Sequence, residues 1–361
     1  MFTHVPRPRL RATAARTLLL TLLFGTVAPI ARSQADPAPR DVGSPPGSFA
    51  PHTHAAPAPE ARAPDVDAYT IPPPPDWSDR YGKYDPASDV RYFRIGKLMA
   101  DFGLSRLAAV EVQSHYRQLT TGTMAPAQAF AVALSRVQAG QYRSGIDPAK
   151  LRAAPFIVVY DLDETLYQMS YRSAARGPAF RDYAFDYRGQ PGYVKLRPGW
   201  QAAIDRIHAL GGLVILFTAR ADDTAESAIA AWHVGDRPIR DCVDGVLSKS
   251  HMILQEKTDG DPIIVPSKDL RLFDESLGRV IIVDDNPKRI VQHHRQRLVK
   301  KFQADPYLAA APASVLARSF EQTLPAVLAE IEESRAYQAA HAGSHFADVY
   351  LPYTLLGRVA M

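Results

Sequence analysis

Three short apolar runs constrain this chain more than anything else in it. They are Phe156-Ile157-Val158-Val159-Tyr160, Val214-Ile215-Leu216-Phe217 and Val280-Ile281-Ile282-Val283. A strand that alternates apolar and polar residues has one wet face, whereas a continuous apolar run of this length fits a strand buried on both faces. Amphipathic stretches lie between the runs, such as Gly199 to Leu210 and Thr224 to Trp232. Buried strands alternating with helices predict an α/β domain built on a doubly wound parallel sheet.

Each run ends directly on reactive side chains. The first delivers Asp161 and Asp163, the second Thr218, and the third Asp284 and Asp285. In open parallel sheets the carboxyl ends of the strands line the ligand crevice, so these groups are expected to converge. Four carboxylates in one place require a cation, and hard oxygen ligands suit Mg²⁺.

In sequence order, Asp161-Leu162-Asp163-Glu164-Thr165, Thr218, a downstream lysine and the Asp284-Asp285 pair resemble the haloacid-dehalogenase (HAD) superfamily phosphatases. The closer resemblance is to the carboxy-terminal-domain phosphatase branch, which includes the nuclear-LIM-interactor-interacting-factor type. It is carried by Asp186-Tyr187-Arg188-Gly189-Gln190-Pro191-Gly192-Tyr193-Val194, by Leu196-Arg197-Pro198-Gly199, by Phe217-Thr218-Ala219, by Lys268-Asp269-Leu270 and by Asp284-Asp285-Asn286-Pro287. The similarity covers about residues 155–335. Two positions depart from the pattern. Arg220 stands where the branch usually has a small residue, and Asp285-Asn286 where it often has Asn-Ser.

The resemblance implies a phosphomonoester hydrolase in which Asp161 is the nucleophile and forms an aspartyl-phosphate. Asp163 would be the general acid and base. Thr218 would hydrogen-bond the phosphoryl group and Lys268 would neutralise it. Metal ligands would be Asp161, the Asp163 backbone carbonyl and Asp285, with Asp284 alongside. A carboxylate approaching a phosphate meets repulsion of about 4 kcal/mol per pair of unit charges at 4 Å and an effective dielectric near 20, which Mg²⁺ and a lysine would offset. Lys249 also lies between the second and fourth motifs, and Lys268 is preferred for its spacing to Asp284. Thr218 has the alternative role of a simple helix cap. Arg220 has two readings, a phosphate contact beside Thr218 or a pair with Asp222 or Asp223.

The rest of the chain sets the surroundings. Residues 1–35 carry Arg7, Arg9, Arg11, Arg16 and Arg32 with no Lys, Asp or Glu, and removing them takes the formal charge from +4 to about −1. The remainder is not basic, so nucleic-acid binding is not expected. That Arg-bearing head, the apolar run Leu18 to Ala28 and Ser33-Gln34-Ala35 form the pattern of a secretory signal peptide cleaved after Ala35. The run is shorter than the roughly 20 residues of a membrane span, so an exported chain, periplasmic or secreted, with no stable span is expected. Residues 36–88 read as a Pro/Ala-rich linker. A helical extension follows at 89–150, with candidates at Val90 to Phe102, along the stripe Leu104 to Leu119, and at Ala127 to Val137 entered through Pro126. The phosphatase-like domain is placed at 151–335 and a tail at 336–361. Cys242 is the single cysteine, which excludes an intramolecular disulfide and cysteine-based zinc clusters, and reads as a buried structural thiol. His293-His294 sit on an expected exposed helix face, where adjacent positions do not share a ligand.

Between Thr165 and Thr218 only a small hairpin is expected, in place of a large cap. An open site of this kind admits a phosphorylated Ser or Thr on a peptide, or a small phosphomonoester. The competing readings are a broad exported acid phosphatase or nucleotidase and a non-catalytic polypeptide-binding module on the same fold. Phosphoryl transfer between sugar carbons would need a closing cap to exclude water.

Overall fold

The computed structural model describes residues 82–85, 90–171, 178–255 and 265–350. The expected signal peptide and nearly all of the expected linker lie outside these residues. The described chain opens with an antiparallel ribbon of β1 (Gly82–Asp85) and β2 (Val90–Phe93). Three helices follow, α1 (Ile95–Phe102), α2 (Arg106–Thr121) and α3 (Pro126–Gln138). The single helix expected from Val90 to Phe102 is therefore corrected to a strand and a helix. Val-Arg-Tyr-Phe is a β-branched and aromatic run, and an upstream partner strand settles its conformation. Helix α2 starts where its sequence dictates, with the Ser105 hydroxyl accepting from the Ala108 amide at 3.2 Å.

A short helix α4 (Pro148–Ala153) leads to β3 (Ile157–Tyr160). Then come β4 (Tyr167–Ser170), β5 (Tyr183–Tyr187) and β6 (Gln190–Leu196), which pair in the order β4-β6-β5 as a small antiparallel sheet. The expected hairpin is β5–β6, closed by Arg188 and Gly189, both at positive φ (54° and 77°) as a two-residue turn of its type requires. Strand β4, adding a third member to this sheet, was not foreseen.

The central sheet adds β7 (Leu213–Phe217), β10 (Gly245–Leu247), β13 (Val280–Asp284) and β14 (Gln296–Leu298), with order β10-β7-β3-β13-β14 and every pairing parallel. Helices α5 (Trp200–Ala209) and α6 (Asp222–Ala230) flank β7 in sequence. Two minor ribbons, β8 (His233–Val234) with β9 (Arg237–Pro238) and β11 (Ile253–Gln255) with β12 (Val265–Ser267), lie within the loops.

Alternation along the strands divides the core in two. Ile157, Val159, Ile215, Phe217, Leu247, Val280 and Ile282 face one way, packed with Leu107, Val112, Phe130 and Val137 of α2 and α3. Val158, Tyr160, Val214, Leu216, Val246, Ile281 and Val283 face the other, packed with Ile204, Ile207, Ile229 and residues near the end of the chain. The sheet is thus covered on both faces, and the N-terminal helices supply one cover. At the far end, α7 (Ala304–Ala309) and α8 (Val315–Glu321) precede the long α9 (Thr323–Ala340). The expected tail from 336 is corrected here, because α9 runs past it and Phe346, Ala347 and Tyr350 are buried in the second core. None of the described helices is long and apolar enough to cross a membrane.

Candidate active site

Strand order reverses between β3 and β13, which places the crevice at their carboxyl ends. Asp161 follows β3 and Asp284 ends β13, two neighbouring strands. Carboxylate oxygens of Asp161, Asp284 and Asp285 come within 4.8 Å of one another. Lys268 Nζ lies between two of them, 2.5 Å from Asp161 Oδ1 and 2.7 Å from Asp284 Oδ2, with 1% of its side chain exposed. Among the described residues it is the cation hydrogen-bonded to this trio. Lys249 is elsewhere, on a short turn whose backbone amide donates to the Arg220 carbonyl at 3.0 Å.

The charges shift one another. Burial raises the Asp161 carboxyl well above its usual range, the ammonium of Lys268 opposes this, and the neighbouring charges of Asp284 and Asp163 reinforce it. Burial also raises Asp285, with Asp284 adding to the effect. Burial alone would lower Lys268, but the two carboxylates outweigh it and raise the ammonium. Two buried carboxylates thus share one ammonium with a third, half-buried, beside them, a donor set of hard oxygens that fits a divalent cation.

Asp163 is set apart. Its carboxylate accepts from Thr218 Oγ1 at 3.0 Å and from the guanidinium of Arg220. This corrects the pairing of Arg220 with Asp222 or Asp223, since Asp222 is taken by Ser248 and Ser250, and Asp223 by Tyr187 and Arg188. Thr218 is not a cap either: Ala221 precedes α6, and Thr218 Oγ1 accepts from the Arg220 amide at 3.0 Å.

Several supporting residues went unassigned in the sequence. The Thr165 hydroxyl donates to Asp285 Oδ1 and accepts from the Asp285 amide, both at 3.0 Å, tying the first motif to the last. Glu164 adopts a left-handed φ of 64°, and its carbonyl is held by the Phe302 amide at 2.6 Å and by Arg197 Nη2 at 3.2 Å. Arg197 is fully buried over the ring of Phe302, and burial lowers its guanidinium to about 10. Behind Lys268, the buried Asp269 accepts from Arg271 and from Gln292 Nε2. The available signal for Glu164, Thr165, Arg197 and Asp269 was position, beside or within a motif or in the Arg-Pro entry to α5, whereas Arg271 and Gln292 carried none. Cys242 is half-buried rather than buried, and His293 and His294 are exposed on a 3₁₀ turn rather than an α-helix.

Residues 156–307 match the family model described as NLI interacting factor-like phosphatase. The match covers 152 of the 361 residues, under half of the chain. No curated protein matches the chain. Among solved structures, the chain is similar to the fission yeast RNA polymerase II CTD phosphatase Fcp1, a variant bound to beryllium fluoride, at 15% identity and a TM-score of 0.34. That match covers 57% of this chain and 63% of the other, so the chain spans less than two thirds of its length. A second structure, of Fcp1 as an essential RNA polymerase II CTD phosphatase, matches at 13% identity and a TM-score of 0.36, covering 56% and 71%.

Proposed function

We propose that the phosphatase domain is a magnesium-dependent phosphomonoester hydrolase that works through an aspartyl-phosphate on Asp161. The supporting observation is the buried Lys268 ammonium between Asp161 and Asp284, with Asp285 in the same oxygen cluster. Asp161 attacks phosphorus, the ester P–O bond breaks, and the leaving oxygen takes a proton from Asp163. Water then attacks the aspartyl-phosphate, Asp163 accepts its proton, and phosphate leaves with the Asp161 carboxylate restored. Thr218 holds a phosphoryl oxygen by its hydroxyl, and Lys268 offsets the repulsion between nucleophile and phosphate. Asp161, Asp284 and Asp285, with the Asp163 backbone carbonyl, would hold Mg²⁺, which supplies positive charge against the phosphoryl oxygens.

The small β4-β6-β5 sheet stands where a large cap would close the site, and this supports a phosphorylated Ser or Thr on a peptide as substrate. Export, read from residues 1–35, places the reaction outside the cytoplasm. N-terminal sequencing of the mature chain should then begin at Asp36.

The decisive measurement is phosphate release from phosphopeptides, nucleotides and sugar phosphates, with and without Mg²⁺. Turnover should require Mg²⁺ and favour phosphopeptides, and Asp161→Asn should lower kcat by roughly 10⁴-fold. Preference for mononucleotides would favour a broad acid phosphatase. No release from any ester, with Asp161→Asn unchanged in polypeptide binding, would leave the binding-module reading in front.

A further inference from the structure

Asp163 must present a free edge to the leaving oxygen, yet both of its oxygens are engaged. Thr218 Oγ1 donates to Oδ2 at 3.0 Å. Arg220 lays its guanidinium across the carboxylate, with Nε 3.0 Å from Oδ1 and 3.2 Å from Oδ2 and Nη2 also bonded to Oδ1. The backbone of Arg220 is pinned on both sides, its amide donating to Thr218 Oγ1 and its carbonyl accepting from the Lys249 amide, each at 3.0 Å. Any release must therefore come from the side chain.

That side chain is only partly enclosed. The two partners are 29% and 28% exposed, in contrast to the buried Lys268 cluster. Partly exposed ion pairs contribute little to stability, so separating this one has a small cost when another anion takes the guanidinium. A phosphate seated against Asp161 and Thr218 is such an anion. It carries more charge than a single carboxylate, and its oxygens match the planar fork of an arginine equally well.

We propose that Arg220 is a phosphate-binding residue that rests on Asp163 until substrate enters. The incoming phosphate takes the guanidinium from Asp163, and the same exchange turns one edge of that carboxylate toward the leaving oxygen. The proposal rests on the hydrolase reading in one respect, that phosphate binds beside Asp161.

The test is inorganic phosphate binding by isothermal titration in MgCl₂. It uses the full-length protein, Asp163→Asn, Arg220→Gln and the double variant. Asp163→Asn should bind phosphate more tightly than the unmodified chain, because the competing carboxylate charge is gone. Adding Arg220→Gln to it should weaken binding roughly tenfold, equivalent to about 1.4 kcal/mol. A guanidinium that only braces Asp163 has no carboxylate left to brace in Asp163→Asn, so equal affinity of Asp163→Asn and the double variant overturns the proposal. Arg220→Ala in the same background repeats the comparison if the glutamine variant does not fold, with the same two outcomes. Phosphate affinity that depends on Arg220 in a protein that hydrolyses no ester keeps this proposal and sinks the hydrolase reading. Turnover with equal affinities does the reverse.

Discussion

Lys268 is a buried ammonium whose hydrogen-bond partners are two carboxylates, one 107 and one 16 residues away in sequence. Removing one member of a buried ionic cluster leaves uncompensated charge and costs about 3–5 kcal/mol. Lys268→Met should therefore lower the urea midpoint as well as kcat, the latter by roughly 10²–10³-fold in phosphate release. The same substitution at Lys249 should lower kcat far less, since Lys249 holds the Arg220 carbonyl through its backbone amide, which the substitution keeps. Spacing to Asp284 was enough to prefer Lys268 over Lys249. The partner of Arg220 was not readable in the same way: Asp222 and Asp223 lie beside it in sequence, and only the packed loops bring it to Asp163 instead.

At the level of elements, α2 carries the largest surprise. Its apolar stripe was legible, but every residue from Leu107 to Tyr116 is buried, polar ones included. Gln113 accepts from the Phe93 amide and donates to the carbonyls of Ser250 and Met252. Glu111 accepts from the amides of Arg143 and Ser144 and pairs with His251. Burial alone would raise the Glu111 carboxyl, but His251, Ser144 and Arg143 together outweigh it and lower it. A carboxyl whose folded value is lowered contributes stability that is present above its unfolded value, about 4.3, and lost as pH falls through the folded value. Glu111→Gln should accordingly be less stable than the unmodified chain at pH 7, and the gap in thermal midpoint should close below about pH 4. A gap unchanged down to pH 3 would contradict the direction of the shift.

For the molecule as a whole, the segment matched by the family does not bury its own sheet. One face of β3, β7 and β13 is covered by α2 and α3, which precede residue 156. A chain beginning at residue 150 would expose Ile157, Val159, Phe217 and Ile282 together, an apolar patch that drives aggregation. Such a truncation should bind a hydrophobic dye such as ANS and lose its near-ultraviolet circular dichroism, whereas the chain from residue 82 should do neither. The other end closes the second face. Phe346 packs on Phe156 with ring centroids 4.8 Å apart, and Phe346→Ala should cost about 3–5 kcal/mol in urea unfolding.

The sequence by itself determined the central sheet and which polar residues end its strands. A strand buried on both faces has to be written as an unbroken apolar run, and the polar residue that ends the run falls at the crevice. For that reason the apolar runs alone locate Asp161, Thr218 and Asp284 at the carboxyl ends of their strands. The tertiary structure alone decided what meets what. Lys268 reaches Asp161 across 107 residues, Thr165 reaches Asp285 across 120, and α2 becomes a wall of the domain through polar contacts no periodicity displays. Local patterns encode which face of an element is apolar, but the identity of the opposite partner depends on how the whole chain closes around the sheet.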